Sequence, residues 1–201
     1  MPFSDLLLYI DSYPDPTPAA AIDQAVALAS RLKGRLTALA VRAKIPLKSN
    51  RFLDLMSGLS GMIGEEEARS RDACRVAIEH FTETAKAAGV LGETLTEPAD
   101  LFGFPEHVAR RARTRDFCIL PLAARHDGEQ AVAREVIFGS GRPVLLFLDS
   151  MTAPLCADRI ADQQAAPARL HGRSSGAIPV AFFANHSVYT GIRAARYDFV
   201  S

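Results

Sequence analysis

Several stretches of this chain carry side chains able to do chemistry. Asp11 and Asp15 lie close together and would serve as paired carboxylates or metal ligands. No His or Lys nearby completes a catalytic constellation, and Asp15, just ahead of an Ala-rich segment, also suits a turn or a helix cap. Gly139-Ser140-Gly141-Arg142 offers an anion the Ser140 hydroxyl and the Arg142 guanidinium. The same residues read as the end of a helix, with Gly139 or Gly141 at positive φ and Pro143 resetting the chain, and this stop chemistry is the favoured reading. A nucleophile elbow is excluded, because the strand follows the serine instead of preceding it. Arg110, Arg111, Arg113 and Arg115 form a basic run at a helix end, where the dipole alone favours cations; it lacks the interleaved aromatics of a nucleic-acid reader. His80, His107 and His126 are not spaced as a metal site. Cys74, Cys118 and Cys156 are odd in number and widely separated, so no disulfide framework or zinc site is expected and the thiols are read as structural.

The elements that must position these groups follow from periodicity. Leu6 to Ile10 is a short apolar run ended by Asp11 and a Pro-rich turn, the pattern of a strand buried on both faces. Ala19 to Lys33 repeats Ile22, Val26, Ala29 and Leu32 at helical spacing, with Gly34 as a stop, and Leu36 to Val41 makes a second strand. Arg42 to Gly64 reads as a loop region with a short helix around Phe52 to Met56. Glu65 to Ala88 reads as a long amphipathic helix with Cys74, Ala77, Ile78 and Phe81 facing inward. A weak strand at Thr94 to Pro98 precedes a helix over Glu106 to Arg113 and a clear strand at Phe117 to Leu120. A helix at Glu129 to Phe138 and a last strand at Val144 to Phe147 complete a β-α alternation. That alternation predicts an α/β fold: an open five-stranded parallel sheet with helices on both faces.

The chain has 201 residues, 48% hydrophobic and 23% charged, which suits one well-cored domain and excludes disorder throughout. Basic and acidic residues number 23 each, so no electrostatic reason exists to expect nucleic acid or an anionic membrane as partner. No run approaches the about 18 apolar residues of a membrane helix, and Met1 to Ile10 lacks a basic leader. A cytoplasmic location is expected.

Over roughly residues 3 to 149 the pieces resemble the universal stress protein family. The resemblance is carried by the opening strand ending in Asp11, by Val108-Ala109-Arg110-Arg111 running on to Asp116-Phe117-Cys118-Ile119-Leu120, and by Val136-Ile137-Phe138-Gly139-Ser140-Gly141-Arg142-Pro143-Val144-Leu145-Leu146-Phe147. It implies a Rossmann-like domain with ATP as the family ligand: an Asp at the end of the first strand near the adenosine, and a loop G-x-x-G-x9-G-[ST] after the fourth strand around the phosphates. Glycines there let backbone N–H groups approach anionic oxygens, and a helix N-terminus adds its dipole. Asp11 matches the first element. The loop departs from the pattern: Pro121, with no N–H, and Ala124 replace the two glycines, the stretch to Pro143 is short, and Asp127 would repel phosphate. If the nucleotide site is kept, it rests on Asp11, Val41, Arg125, Gly128 and Ser140; otherwise no cofactor is expected.

From Met151 the chain contains neither Lys nor Glu, and the apolar run Val180 to Ala184 has no partner in sequence order. Residues 1–150 are read as the domain and 151–201 as a tail, partly disordered. Cys156 to Ala161 resembles the run-up to a second such domain, so a frameshift or truncation and a genuine variable tail stand as alternatives. The expected function is a stress-response binding or regulatory module, not an enzyme, with weak or no ATP binding. It is expected to form a homodimer through the last strand, whose apolar edge is a pairing hazard. The alternatives are an ATP/AMP switch or slow ATPase using Asp11 and the loop after the fourth strand, and a ligand-free protein–protein interaction module.

Overall fold

The computed structural model describes residues 3–46, 59–122, 127–148, 180–184 and 187–190. Five strands, β1 (Asp5–Ile10), β2 (Arg35–Lys44), β3 (Leu91–Asp100), β4 (Phe117–Leu122) and β5 (Val144–Leu148), alternate with helices α1 (Ala19–Leu32), α2 (Leu59–Ala87), α3 (Phe104–Ala112) and α4 (Asp127–Gly139). Two further strands, β6 (Val180–Ala184) and β7 (Ser187–Thr190), complete the order. All belong to one sheet of order β3-β2-β1-β4-β5-β6-β7. The first five are mutually parallel, and β6 and β7 are antiparallel additions at the β5 side. The expected α/β architecture is therefore present, and the sheet is wider than the five strands read from the sequence.

Successive residues of a strand point to opposite faces, and β1 serves both. Leu6, Leu8 and Ile10 pack with Ile22, Ala25 and Ala29 of α1 and with Cys74, Phe81 and Ala85 of α2. Leu7 and Tyr9 pack with Val108 and Ala112 of α3 and with Val132 and Val136 of α4. Both faces are covered by helices, so every buried position of the strand has to be apolar, which is why Leu6 to Ile10 and Phe117 to Leu120 read as unbroken runs. Each such Leu or Ile withdrawn from water contributes about 1.5–3 kcal/mol.

Three departures from the sequence reading have physical causes. β3 spans ten residues where only Thr94 to Pro98 was expected. It is a sheet edge, its residues alternate between partly buried and exposed, and so it carries only a diluted apolar signal. α2 begins at Leu59 and runs through Gly61 and Gly64, although both read as loop glycines. A Cβ at either would meet nothing within 4 Å, so both lie on an open side of the helix, where a glycine costs only about 1 kcal/mol. β2 continues to Lys44, which shortens the expected loop from its other end. The short helix expected around Phe52 to Met56 lies outside the described residues, as do residues 151–179, 185–186 and 191–201 of the expected tail. Val180–Ala184, which had no partner in sequence order, pairs antiparallel with β5, Val144 opposite Phe183 and Phe147 opposite Val180.

Candidate functional site

In an open parallel sheet a crevice forms at the carboxyl ends of the strands, where the chain switches direction of winding; here that point lies between β1 and β4. Asp11, immediately after β1, is 5% exposed. Its backbone N–H donates to Thr17 Oγ1 at 2.8 Å, and the Thr17 N–H returns to the Asp11 carbonyl at 3.0 Å, closing the Pro-rich loop on itself. Its Oδ1 accepts the N–H groups of Ser12 at 2.8 Å and Tyr13 at 3.1 Å. Asp side chains favour this local turn, which gives the buried carboxylate two backbone donors.

Val41 reaches the same crevice through Ser12. The Ser12 hydroxyl donates to the Val41 carbonyl at 2.6 Å and lies 2.7 Å from the Ser70 hydroxyl of α2. Since Ser12 has one proton and uses it on Val41, Ser70 is the donor between the two hydroxyls. Ser70 Oγ in turn accepts the Ala43 N–H at 2.8 Å. Asp11, Ser12, Val41, Ala43 and Ser70 thus form one buried chain of hydrogen bonds tying β1, β2 and α2 together. Ser12 and Ser70 are buried linking positions of this crevice that the sequence reading misses. Ser70 was detectable, as the polar first member of the stripe Ser70, Cys74, Ala77, Phe81.

On the other face, Tyr9 is 3% exposed and its hydroxyl has no hydrogen-bond partner of ordinary geometry. Burial first, then the nearby Asp11 carboxylate and further the charge of Glu129, hold its pKa well above the ordinary phenol value, so it stays protonated. Glu129 is 3% exposed in the first turn of α4. With Asp127 it places two carboxylates at the positive end of that helix, the position a bound phosphate would take. Gly128 is exposed in the same turn. Pro121 lies inside β4, opposite Phe147 of β5, so the strand continues past the point where the family's first glycine would stand. Arg125 lies outside the described residues.

Ser140 does not join this site. β1, β4 and β5 are parallel, with Leu6 opposite Phe117 and Cys118 opposite Val144, so residues just before Val144 lie at the edge where the strands begin. At about 3.3 Å per residue the two edges are roughly 15–20 Å apart. Ser140 Oγ accepts the Arg142 N–H at 3.1 Å and Gly141 has φ 66°, the helix-stop geometry. Arg113 Nε donates to the Gly139 carbonyl at 2.8 Å and Arg142 Nε to the Arg113 carbonyl at 3.0 Å, so each arginine caps the helix before the other. The rest of the basic run is likewise engaged: Arg110 with His107, Arg111 with Glu97, and Arg115 with Asp5 at 2.9 Å and Glu93 at 2.8 Å. Asp15 is exposed and does not cap α1, whose N-cap is Pro18. Among the described residues no group of three or more His, Cys, Asp or Glu is placed to hold a metal. No helix among them is long and apolar enough to cross a membrane.

No protein-family model matches the chain, and no curated protein does. Solved structures similar to it include a universal stress protein in complex with cAMP, at 14% identity and a TM-score of 0.41, covering 73% of this chain and 99% of the other. Another is universal stress protein UspA from Lactobacillus plantarum, at 19% identity and a TM-score of 0.44, covering 72% and 97%.

Proposed function

We propose that the chain is a regulatory or binding module of the universal stress type, acting in the cytoplasm without catalysis and binding ATP weakly or not at all. The observation that carries this reading is Ser12. Its N–H occupies Asp11 Oδ1 and its hydroxyl occupies the Val41 carbonyl, so the two groups an adenosine would need are already bonded to the chain itself. A ligand would have to share these acceptors with Ser12 and Tyr13, which already use part of their capacity. The carboxylates of Asp127 and Glu129 at the start of α4 add repulsion against polyphosphate.

Titration calorimetry of Mg-ATP and AMP into the full chain tests this. Absence of heat and of thermal stabilisation at millimolar nucleotide is expected, since a ligand that binds the folded state must stabilise it. Micromolar binding that Asp11→Ala weakens would sink the proposal and favour a nucleotide switch. That second reading has one observation behind it: Asp11 and Val41 do meet at one crevice, a single serine apart. Self-association through β5 belongs to the proposal too, and requires β6 to leave, because β6 pairs with that edge.

A further inference from the structure

Beyond the strand-end crevice, β2 runs on beside β3, with Arg42 opposite Pro98 and Lys44 opposite Asp100. Leu36, Ala38 and Ala40 face α1 and α2, so Arg42 and Lys44, of the same parity, rise on that side. There α2 brings Glu67 and Arg71, one helical turn apart. These four side chains, with Ala43 and Pro98, line a cavity of about 150 Å³. Glu67 is fixed by accepting the Ile45 N–H at 2.9 Å. No ion pair among the described residues involves Arg42, Lys44 or Arg71. Arg42 Nε is buried with no acceptor among the described residues. The contrast with Arg111, Arg113, Arg115 and Arg142, each bonded to a carboxylate or a carbonyl, is plain.

We propose that this cleft binds a phosphoryl dianion, free or as a small monoester. Three cations against one carboxylate leave an excess of two positive charges, and a phosphate monoester carries about −1.5 to −2 at pH 7. Guanidinium groups match phosphate oxygens in forked geometry while a lysine supplies a point charge, and both kinds of cation are here. A carboxylate would leave one cation in excess, and a metal ion would be repelled. The cleft is lined by none of Asp11, Ser12, Val41 or Ser70 and shares only Ala43 with that hydrogen-bond chain, and the proposal does not rest on the reading of the Asp11 crevice.

The test is calorimetric titration of the full chain with inorganic phosphate and with glycerol 3-phosphate, against sulfate at matched ionic strength. Saturable one-to-one binding is expected, weakened about tenfold by Arg71→Ala and by Lys44→Ala, the loss typical of one charge-assisted bond, and tightened by Glu67→Gln. Tighter binding of the ester identifies a monoester as the ligand; equal binding identifies free phosphate. Both lysine and arginine variants change exposed residues, so they keep the test usable if Arg42→Met does not fold. Absence of saturable binding, binding unchanged in Arg71→Ala and Lys44→Ala, or sulfate bound as tightly as phosphate would overturn the proposal. ATP heat that vanishes in Arg71→Ala and persists in Asp11→Ala would come from this cleft and leave the reading of the Asp11 crevice intact.

Discussion

Asp116 shows how much one side chain can organise at the edge where the strands begin. Its Oδ2 accepts the Ser4 N–H, the Ser4 hydroxyl and the Asp5 N–H, each at 3.0 Å, across more than a hundred residues of sequence. The Ser4 backbone donor leads in holding its carboxyl below the ordinary carboxylate range. A lowered folded-state pKa contributes stability that is fully present above the unfolded value and is lost as pH falls through the folded one. Asp116→Ala should therefore cost about 1 kcal/mol at neutral pH, read from the urea midpoint, and the gap to the parent chain should close in acid. The thiols give a second residue-scale prediction. Cys74 and Cys118 are fully buried, and burial raises the pKa of both. Iodoacetamide should label neither in the folded protein and both after unfolding, by mass spectrometry of digests. Of the candidate site, Asp11 was legible because a strand must end there. Ser12 was not, since nothing in a lone serine announces that it bridges two strands. Ser140 was misplaced because a Gly-Ser pair looks the same at either edge of a sheet, and only strand direction separates the two.

At the scale of elements, the end of α1 and the start of β3 hold contrary demands on side-chain size. α1 ends with Lys33, not Gly34, in the left-handed region at φ 55°, with Gly34 N–H reaching back to the Ala29 carbonyl at 3.1 Å. A non-glycine residue there is strained, so Lys33→Gly should stabilise the protein by about 0.5–1 kcal/mol, seen as a higher Tm. Gly92 has the opposite character. A Cβ on it would lie 2.8 Å from the Leu36 carbonyl oxygen and 2.9 Å from Thr37 Oγ1, where the β2–β3 register shifts. Gly92→Ala should destabilise by about 1–3 kcal/mol, with an unchanged denaturant slope. Strands buried on both faces and helices with one apolar stripe were readable from period alone. The edge strand β3 and the first turns of α2 were not, because half-exposed positions carry mixed residues and their pairing is decided by neighbours distant in sequence.

For the whole molecule, the alternation of strands and helices announced the doubly covered sheet, whereas the apolar run of β6 was visible without its antiparallel return onto β5. A chain has to be seen folded before a strand so far downstream of β5 can be recognised as its neighbour. That pairing has a measurable consequence. Truncation after residue 150 removes β6 and leaves the apolar Val144–Phe147 edge open. The truncated protein should dimerise or aggregate in light scattering after size exclusion, and at lower concentration than the full chain, in which β6 has to leave that edge first.

β1 leaves the ribosome ahead of the other described strands, yet it lies in the middle of the parallel sheet, between β2 and β4. Its partner β4, where Phe117 meets Leu6, emerges only after α1, β2, α2, β3 and α3 have all been made. Throughout that interval one flank of a strand that is apolar from Leu6 to Ile10 is unpaired. The nascent protein is thus exposed to wrong pairing for much of its synthesis, and its yield in cells should depend on chaperone capacity and translation speed more than the stability of the finished fold would suggest.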